Sequence, residues 1–513
     1  MNSFSRHFIC SAVLIGTTAL TPRALADVTL PTIFSDHMVL QRDIVVPVWG
    51  WADPGEQVVV SIGAASKSAT ADAAGKWKLQ LDKLQGAEPD KLTVKGKNTI
   101  VINDVLVGEV WLCSGQSNMS MRVTESMDAD AEKAAAKFPQ IRMYTVDSGA
   151  AVSPQEKCAG HWEVCSPASV GNFSAAGYFF GRELHKNLGV PVGLINSSVG
   201  GTAIEAWTSQ EAMANKPELK PILEHWEKEV AAYDAPEAKT RFEAETAAWK
   251  ELVEKAKAEN KPAPRGPQRA GRSRLDNNHP ANLFNGKIAP LLSYAIRGAI
   301  WYQGESNAGN GPLYGQQLPL MINDWRARWQ QGDFPFGFVQ LPNFMARSAE
   351  PGTPSGWAAV RESMLKTLAL PNTGMTVNMD IGEANDIHPK NKQEIGRRLS
   401  LWALAKVYGK DLPYAGPFYD KLQVNGAEAI LTFKNTNGGL AARGGDLKGF
   451  IVAGADKKWA WATAKIDGDK VVLSAPDVKD PVAVRYAWGN NPECNLINGA
   501  GLLASPFRTD DWQ

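Results

Sequence analysis

Between residues 28 and 103, apolar and polar positions alternate in short runs, IVVPVWGWA, EQVVVSIG, GKWKLQLDKL and NTIVINDV, broken by Asp-Pro-Gly, Gly and Asn. A period of two with turn residues at each break predicts a small N-terminal β domain over residues 27–104. From about residue 105 the pattern changes to nearly unbroken apolar runs, VGEVWLCSG, IRMYTVD, VGLINSSVGG and AIRGAIWYQGES, with the helix-spaced AAGYFFGRELHKNLG among them. Strands buried on both faces and alternating with helices predict an α/β fold, a parallel sheet flanked by helices, over residues 105–410. An Ala-, Glu- and Lys-rich stretch at about 209–275 predicts a helical hairpin inserted into that fold. It ends in the basic KPAPRGPQRAGRSR, which lacks interleaved aromatics and reads as a solvated linker, not a nucleic-acid patch. After residue 410 short strands return (AILTFKN, GFIVAG, KWAWATAKI, KVVLSAP, VAVRYAWG) and predict a C-terminal β-sandwich over 411–513.

The first residues break this scheme. Arg6 and His7 precede an apolar run over residues 8–20, and Ala24-Leu25-Ala26 stands before Asp27, the pattern of a signal peptide over 1–26 with periplasmic or extracellular export. The run is shorter than the roughly 20 residues that span a bilayer, so membrane insertion is not expected. Export makes disulfides allowable, and Cys158 with Cys165, on either side of AGHWEV, is the expected pair. Cys113, inside an apolar strand, reads as a small buried hydrophobe. Lys+Arg and Asp+Glu both number 54, so no net field favours nucleic acid or an anionic membrane. No Cys/His spacing suggests a zinc site, and no cofactor is expected.

Chemistry is suggested by four stretches that follow apolar strands. In GEVWLCSGQSNM, Gly115 permits a tight turn and Ser117 falls at the C-terminal edge of a strand, where α/β proteins place catalysts. A plain turn serine is the default reading on spacing alone, and a nucleophile is the alternative, since the GxSxG elbow is missing. A serine nucleophile needs a base. His37, His161, His185 and His225 fall in the β domain, the Cys158–Cys165 loop, an amphipathic helix and the insertion, which leaves His279 and His388. His388 follows an apolar strand in TVNMDIGEANDIHPKNKQEIGRRL, with Asp386 two residues upstream to orient its ring, or else it is an exposed residue at a helix start. LINSSVGGTAIEAW puts Gly200 and Gly201 after a strand, as an approachable backbone N–H or an ordinary turn. AIWYQGESNAG offers Gln303, Glu305 and Asn307, and Ser306 as a lesser rival nucleophile beside the unfavourable charge of Glu305.

Taken together, FSDHMVLQR, GEVWLCSGQSNM, SSVGGTAIEAW, LFNGKIAPL, IWYQGESN, DIHPKNKQEIGRRL and VRYAWGNNPECNLINGAGLLASPFRTD resemble, in order, the sialate O-acetylesterase family of SGNH (GDSL-like) hydrolases. The resemblance covers nearly the whole chain after residue 26. It implies a carbohydrate O-acetylesterase with Ser117 as nucleophile and His388 as base. It also implies an oxyanion hole from the backbone N–H of Ser117, that of Gly201, and the Gln303 side chain, with Asn307 as a fallback donor. One departure matters: the position three before the histidine, usually Asp in the superfamily, is Asn385. Asp386 is then the expected acid, Asp380 the alternative, and a Ser-His dyad the third possibility. The expected partner is an O-acetylated carbohydrate, with acetylated plant polysaccharide (xylan or xyloglucan) ahead of 9-O-acetyl sialic acid. A lipase or thioesterase and a non-catalytic glycan-binding protein are the rivals. Trp207, Trp301 and Tyr302 lie nearest the motifs as aromatic surfaces for sugar.

Overall fold

One strand, Thr99–Gly115, organises most of the molecule. The structure is a computed structural model that describes residues 27–86 and 88–512, so the predicted signal peptide over 1–26 lies outside the described residues. The first part of this strand pairs antiparallel with Asp90–Lys95, itself antiparallel to Gln57–Ile62, in the N-terminal β layer. Its second part lies parallel between Gly298–Tyr302 and Val192–Ser198. The strand therefore runs unbroken past residue 104, where the pattern had suggested a domain edge. Asp104 takes a left-handed conformation there (φ 54°), and its carboxylate accepts from Arg142 Nη1 at 2.7 Å and lies 2.6 Å from His37 Nδ1.

The central sheet runs Thr373–Thr376, Phe336–Val339, Gly298–Tyr302, Thr99–Gly115, Val192–Ser198, Ile141–Thr145, Trp162–Val164. All pairings along this path are parallel except the last. Side chains alternate between its faces as the pleat requires. Trp111, Cys113, Ile300 and Tyr302 join Phe179, Phe180 and Trp402 in one buried cluster, and Val110, Leu112, Ala299 and Trp301 belong to the other. The helices Ala175–Leu188 and Lys392–Lys406 pack together on the first side, and Gly311–Trp329 and Gly356–Thr367 on the second. Burial on both faces explains why these strands read as continuous apolar runs.

The insertion forms the helices Lys220–Asp234 and Pro236–Ala258, whose side chains are mostly exposed. The C-terminal segment makes two four-stranded antiparallel sheets and a two-stranded ribbon. The expected Cys158–Cys165 pair does not form: both thiols are free. Trp162–Val164 separates them, and they fall in different cores, Cys158 beside Tyr144 and Cys165 in the cluster of Phe179 and Phe180. Glu109, fully buried, ties the layers together. It accepts from Arg42 Nε at 2.5 Å and Arg297 Nε at 2.6 Å, and from Tyr408 at 3.1 Å.

Candidate active site

At the end of the organising strand the chain must turn within one residue. Gly115 does this with φ 142°, and a Cβ there would lie 2.1 Å from the Tyr302 carbonyl oxygen. Only glycine tolerates that approach. Ser117 then opens a single helical turn, Ser117–Ser120. His388 reaches the same place from the loop between Thr373–Thr376 and Lys392–Lys406, where Asn391 caps the helix by accepting from the Glu394 N–H at 3.0 Å. His388 Nε2 and Ser117 Oγ are 2.9 Å apart. A serine hydroxyl within hydrogen-bond reach of an imidazole, at the C-terminal edge of a parallel sheet, is the geometry of an activated nucleophile.

Behind the imidazole, Asp386 Oδ1 lies 3.4 Å from His388 Nδ1 and accepts from the His388 backbone N–H at 2.8 Å. That backbone N–H and the Lys390 ammonium, 3.0 Å from Oδ2, keep the Asp386 carboxyl below the usual carboxylate range. Asp380 is turned elsewhere, bound by Arg398 at 2.7 and 2.8 Å and by Arg443 at 2.8 Å. Ser306 has no histidine partner among the described residues; its backbone N–H donates to Gln116 Oε1 at 3.3 Å.

The glycine turn lies against the serine, since a Cβ on Gly200 would sit 3.4 Å from Ser117 Cβ. Gly201 adopts φ 69°, and its carbonyl accepts from Asn278 Nδ2 at 3.1 Å. Among the described residues, the backbone N–H groups of Ser117, Gly200 and Gly201 have no acceptor within the chain outside regular helix and strand pairing. Gln303 differs from expectation. It is fully buried, its amide donates to Thr202 O at 3.0 Å and Asn307 Oδ1 at 2.7 Å, and its Oε1 accepts from Tyr314 at 3.0 Å. Both amide protons are thus spent inside the protein. Asn307, half-buried, gives one proton to Glu205 Oε2 at 3.0 Å and keeps the other.

Two residues here, Asn118 and Lys392, escaped sequence reasoning as members of a site. Asn118, next to the serine, donates to Glu305 Oε1 at 2.6 Å and Ile387 O at 3.0 Å, and Lys392 Nζ donates to Asn118 Oδ1 at 2.6 Å and Pro389 O at 2.9 Å. Burial pushes the Glu305 carboxyl up and the Lys392 ammonium down, the latter to about 7. A lysine in HPKNK reads as surface charge, and only the fold reveals its burial. Trp207, Trp301 and Tyr302 are fully buried and offer no face to a sugar. Among the described residues no group of three or more His, Cys, Asp or Glu could hold a metal, and no helix is long and apolar enough to cross a membrane.

A family model described as "Carbohydrate esterase, sialic acid-specific acetylesterase" matches residues 107–256 and 282–404. The chain is 29% identical to the sialate O-acetylesterase of Mus musculus, over 92% of each chain. It is 28% identical to that of Homo sapiens, over 92% of this chain and 90% of the relative. Among solved structures, a carbohydrate acetylesterase from Xanthomonas citri superposes with a TM-score of 0.80 at 38% identity, over 94% of this chain and all of that one.

Proposed function

This chain belongs to the carbohydrate esterase family of sialic acid-specific acetylesterases, and from that premise we propose that Ser117 is its nucleophile, His388 its base and Asp386 its acid. It is a carbohydrate O-acetylesterase. The observation that carries the residue assignment is the 2.9 Å contact between His388 Nε2 and Ser117 Oγ. Ser117 Oγ attacks the acetyl carbonyl carbon while His388 takes the hydroxyl proton. The tetrahedral oxyanion lies among the free N–H groups of Ser117 and Gly201. Asn307 Nδ2 is the third donor, and Gln303, first expected in that role, fixes the Asn307 amide from behind. Collapse breaks the ester bond, and His388 returns the proton to the departing sugar oxygen. Water then attacks the acyl-serine by the same route and releases acetate. Asp386 steadies the imidazolium across 3.4 Å. No step calls for a cofactor.

The core is read as an SGNH hydrolase domain over 105–410 between a β domain at 27–104 and a β-sandwich at 411–513. Residues 1–26 are read as an export signal, which N-terminal sequencing of the exported protein tests. The substrate proposed first is a neutral acetylated plant polysaccharide, xylan or xyloglucan, because Lys390, an exposed cation two residues from His388, is already engaged by Asp386 at 3.0 Å. The second reading, 9-O-acetyl sialic acid, is favoured by the family's description and the names of the mammalian relatives. Acetate release from acetylated xylan, xyloglucan and O-acetyl sialic acids decides between them. A higher kcat/KM on sialic acid overturns the first reading, and full activity in Ser117→Ala overturns the nucleophile.

A further inference from the structure

The backbone on either side of the base is fastened to the residue after the nucleophile. Ile387 and Pro389 flank His388, and their carbonyl oxygens accept from Asn118 Nδ2 at 3.0 Å and Lys392 Nζ at 2.9 Å. Lys392 closes the ring onto Asn118 Oδ1 at 2.6 Å. The other Asn118 amide proton goes to Glu305 Oε1 at 2.6 Å, on the loop after Gly298–Tyr302. Asn118 thereby uses both amide protons and its oxygen on three separate segments, and it is fully buried, as is Lys392. The ammonium also stands 5.1 Å from the centre of the Tyr302 ring. Burying a lysine and a carboxyl behind a serine-histidine contact is costly for stability alone, because each loses hydration that its few partners replace only in part.

We propose that Asn118 and Lys392 form a buried clamp, anchored on Glu305, that positions His388 against Ser117 by gripping the peptide groups on both sides of the histidine. Both are positioning residues: neither touches substrate. The proposal rests on the assignment of Ser117 and His388 as nucleophile and base. A pair of side chains that rotate freely seldom holds a 2.9 Å contact, and a displacement of about 1 Å at such a site costs on the order of 100-fold in rate. Because the clamp works as a closed ring, opening it at one point removes most of its effect, so the two positions should not add.

The test compares Asn118→Ala, Lys392→Met and their double variant with Ser117→Ala, using p-nitrophenyl acetate and purified full-length enzyme that melts cooperatively. Where Asn118→Ala does not fold, Asn118→Asp replaces it, keeping the shape and the Lys392 contact while losing both donated hydrogen bonds. The expected result is a fall in kcat of about 30- to 100-fold in each single variant, with KM changed less than about threefold, and a double variant no slower than the slower single. Single variants within about threefold of wild-type kcat, beside an inactive Ser117→Ala, overturn the clamp and leave the catalytic assignment standing. Fold-losses that multiply in the double variant overturn it too. An active Ser117→Ala instead removes the assignment on which the clamp rests.

Discussion

Two buried glutamates serve opposite ends of one strand system. Glu109, inside the organising strand, has its carboxylate met by Arg42, Arg297, Gln41 and Tyr408. Burial alone would push its carboxyl up, yet Arg297 and then Arg42 hold it below the usual range. Glu305, beside Ser117 and His388, accepts from Asn118 through Oε1, whereas Oε2 is buried and has no hydrogen-bond partner among the described residues. Its carboxyl is pushed up by burial, which its own backbone N–H, Asn118 and Lys392 only partly oppose. The first glutamate is a structural charge, satisfied on every side. The second is a carboxyl kept short of partners, next to a lysine that burial holds near 7, and that shortage is found behind the Ser117–His388 contact, as perturbed groups at functional sites often are.

The largest break in this comparison is Glu109→Gln. It leaves Arg42 and Arg297 facing an amide that cannot balance them, and the expected loss is about 3–5 kcal/mol of stability, read by denaturant unfolding. Activity of the folded fraction should be unchanged, because no Glu109 partner touches the site. Since the folded pKa of Glu109 is depressed, its stabilisation is fully present above the unfolded carboxylate pKa and is lost as the pH falls from there through the lower folded pKa.

Lys392 gives the opposite sign. Burial holds its folded pKa at about 7, below lysine's ordinary 10.5, so between those values the unfolded chain binds more protons than the fold. Stability attributable to Lys392 therefore rises with pH across that window, by up to about 1.4 kcal/mol per pH unit. Unfolding of wild type and Lys392→Met at several pH values between 7 and 10 checks this. The difference between the two proteins should shift in favour of wild type as the pH rises, and a flat difference would show that Lys392 titrates as an ordinary lysine.

Asp386 belongs to neither class. Its side chain is 35% exposed and 3.4 Å from the imidazole Nδ1, with its nearest oxygen also taken by a backbone N–H. Replacement by Asn keeps that backbone contact and removes a screened charge. The expected fall in kcat is about tenfold, or roughly 1.4 kcal/mol, far less than the roughly 10⁴-fold cost of losing a buried triad aspartate. A loss above about 1,000-fold in Asp386→Asn would mean that the carboxylate hydrogen-bonds the ring directly during turnover.

Much of this site can be read from sequence as a set of strand ends. Apolar runs placed Ser117, Gly201 and the QGESN loop after strands, and the helical period after HPKNK placed His388 before a helix. What could not be read is direction. Gln303 and Asn307 are four residues apart on one loop, and which amide is free depends on Tyr314, whose hydroxyl occupies the Gln303 oxygen from the following helix. The unbroken strand across residue 104 depends on Arg142 and His37 holding a left-handed aspartate. The Cys158–Cys165 pairing failed for the same kind of reason: the two thiols are seven positions apart in the chain, yet they point into different cores.

The finest test of the two glutamates is Glu305→Gln, set beside Glu109→Gln. An amide at 305 keeps an oxygen for Asn118, so the segment of the clamp that reaches His388 stays closed. It also exchanges one poorly met polar atom, Oε2, for another. Because burial already favours the uncharged acid, little favourable ionisation is lost. The expected change is under about 1 kcal/mol in stability and under about threefold in kcat. The same substitution, applied to two buried glutamates of one chain, should thus cost several kcal/mol at 109 and almost nothing at 305. Equal losses at the two positions would mean that Glu305 works as a paired charge, with Lys392 as its ion-pair partner across Asn118.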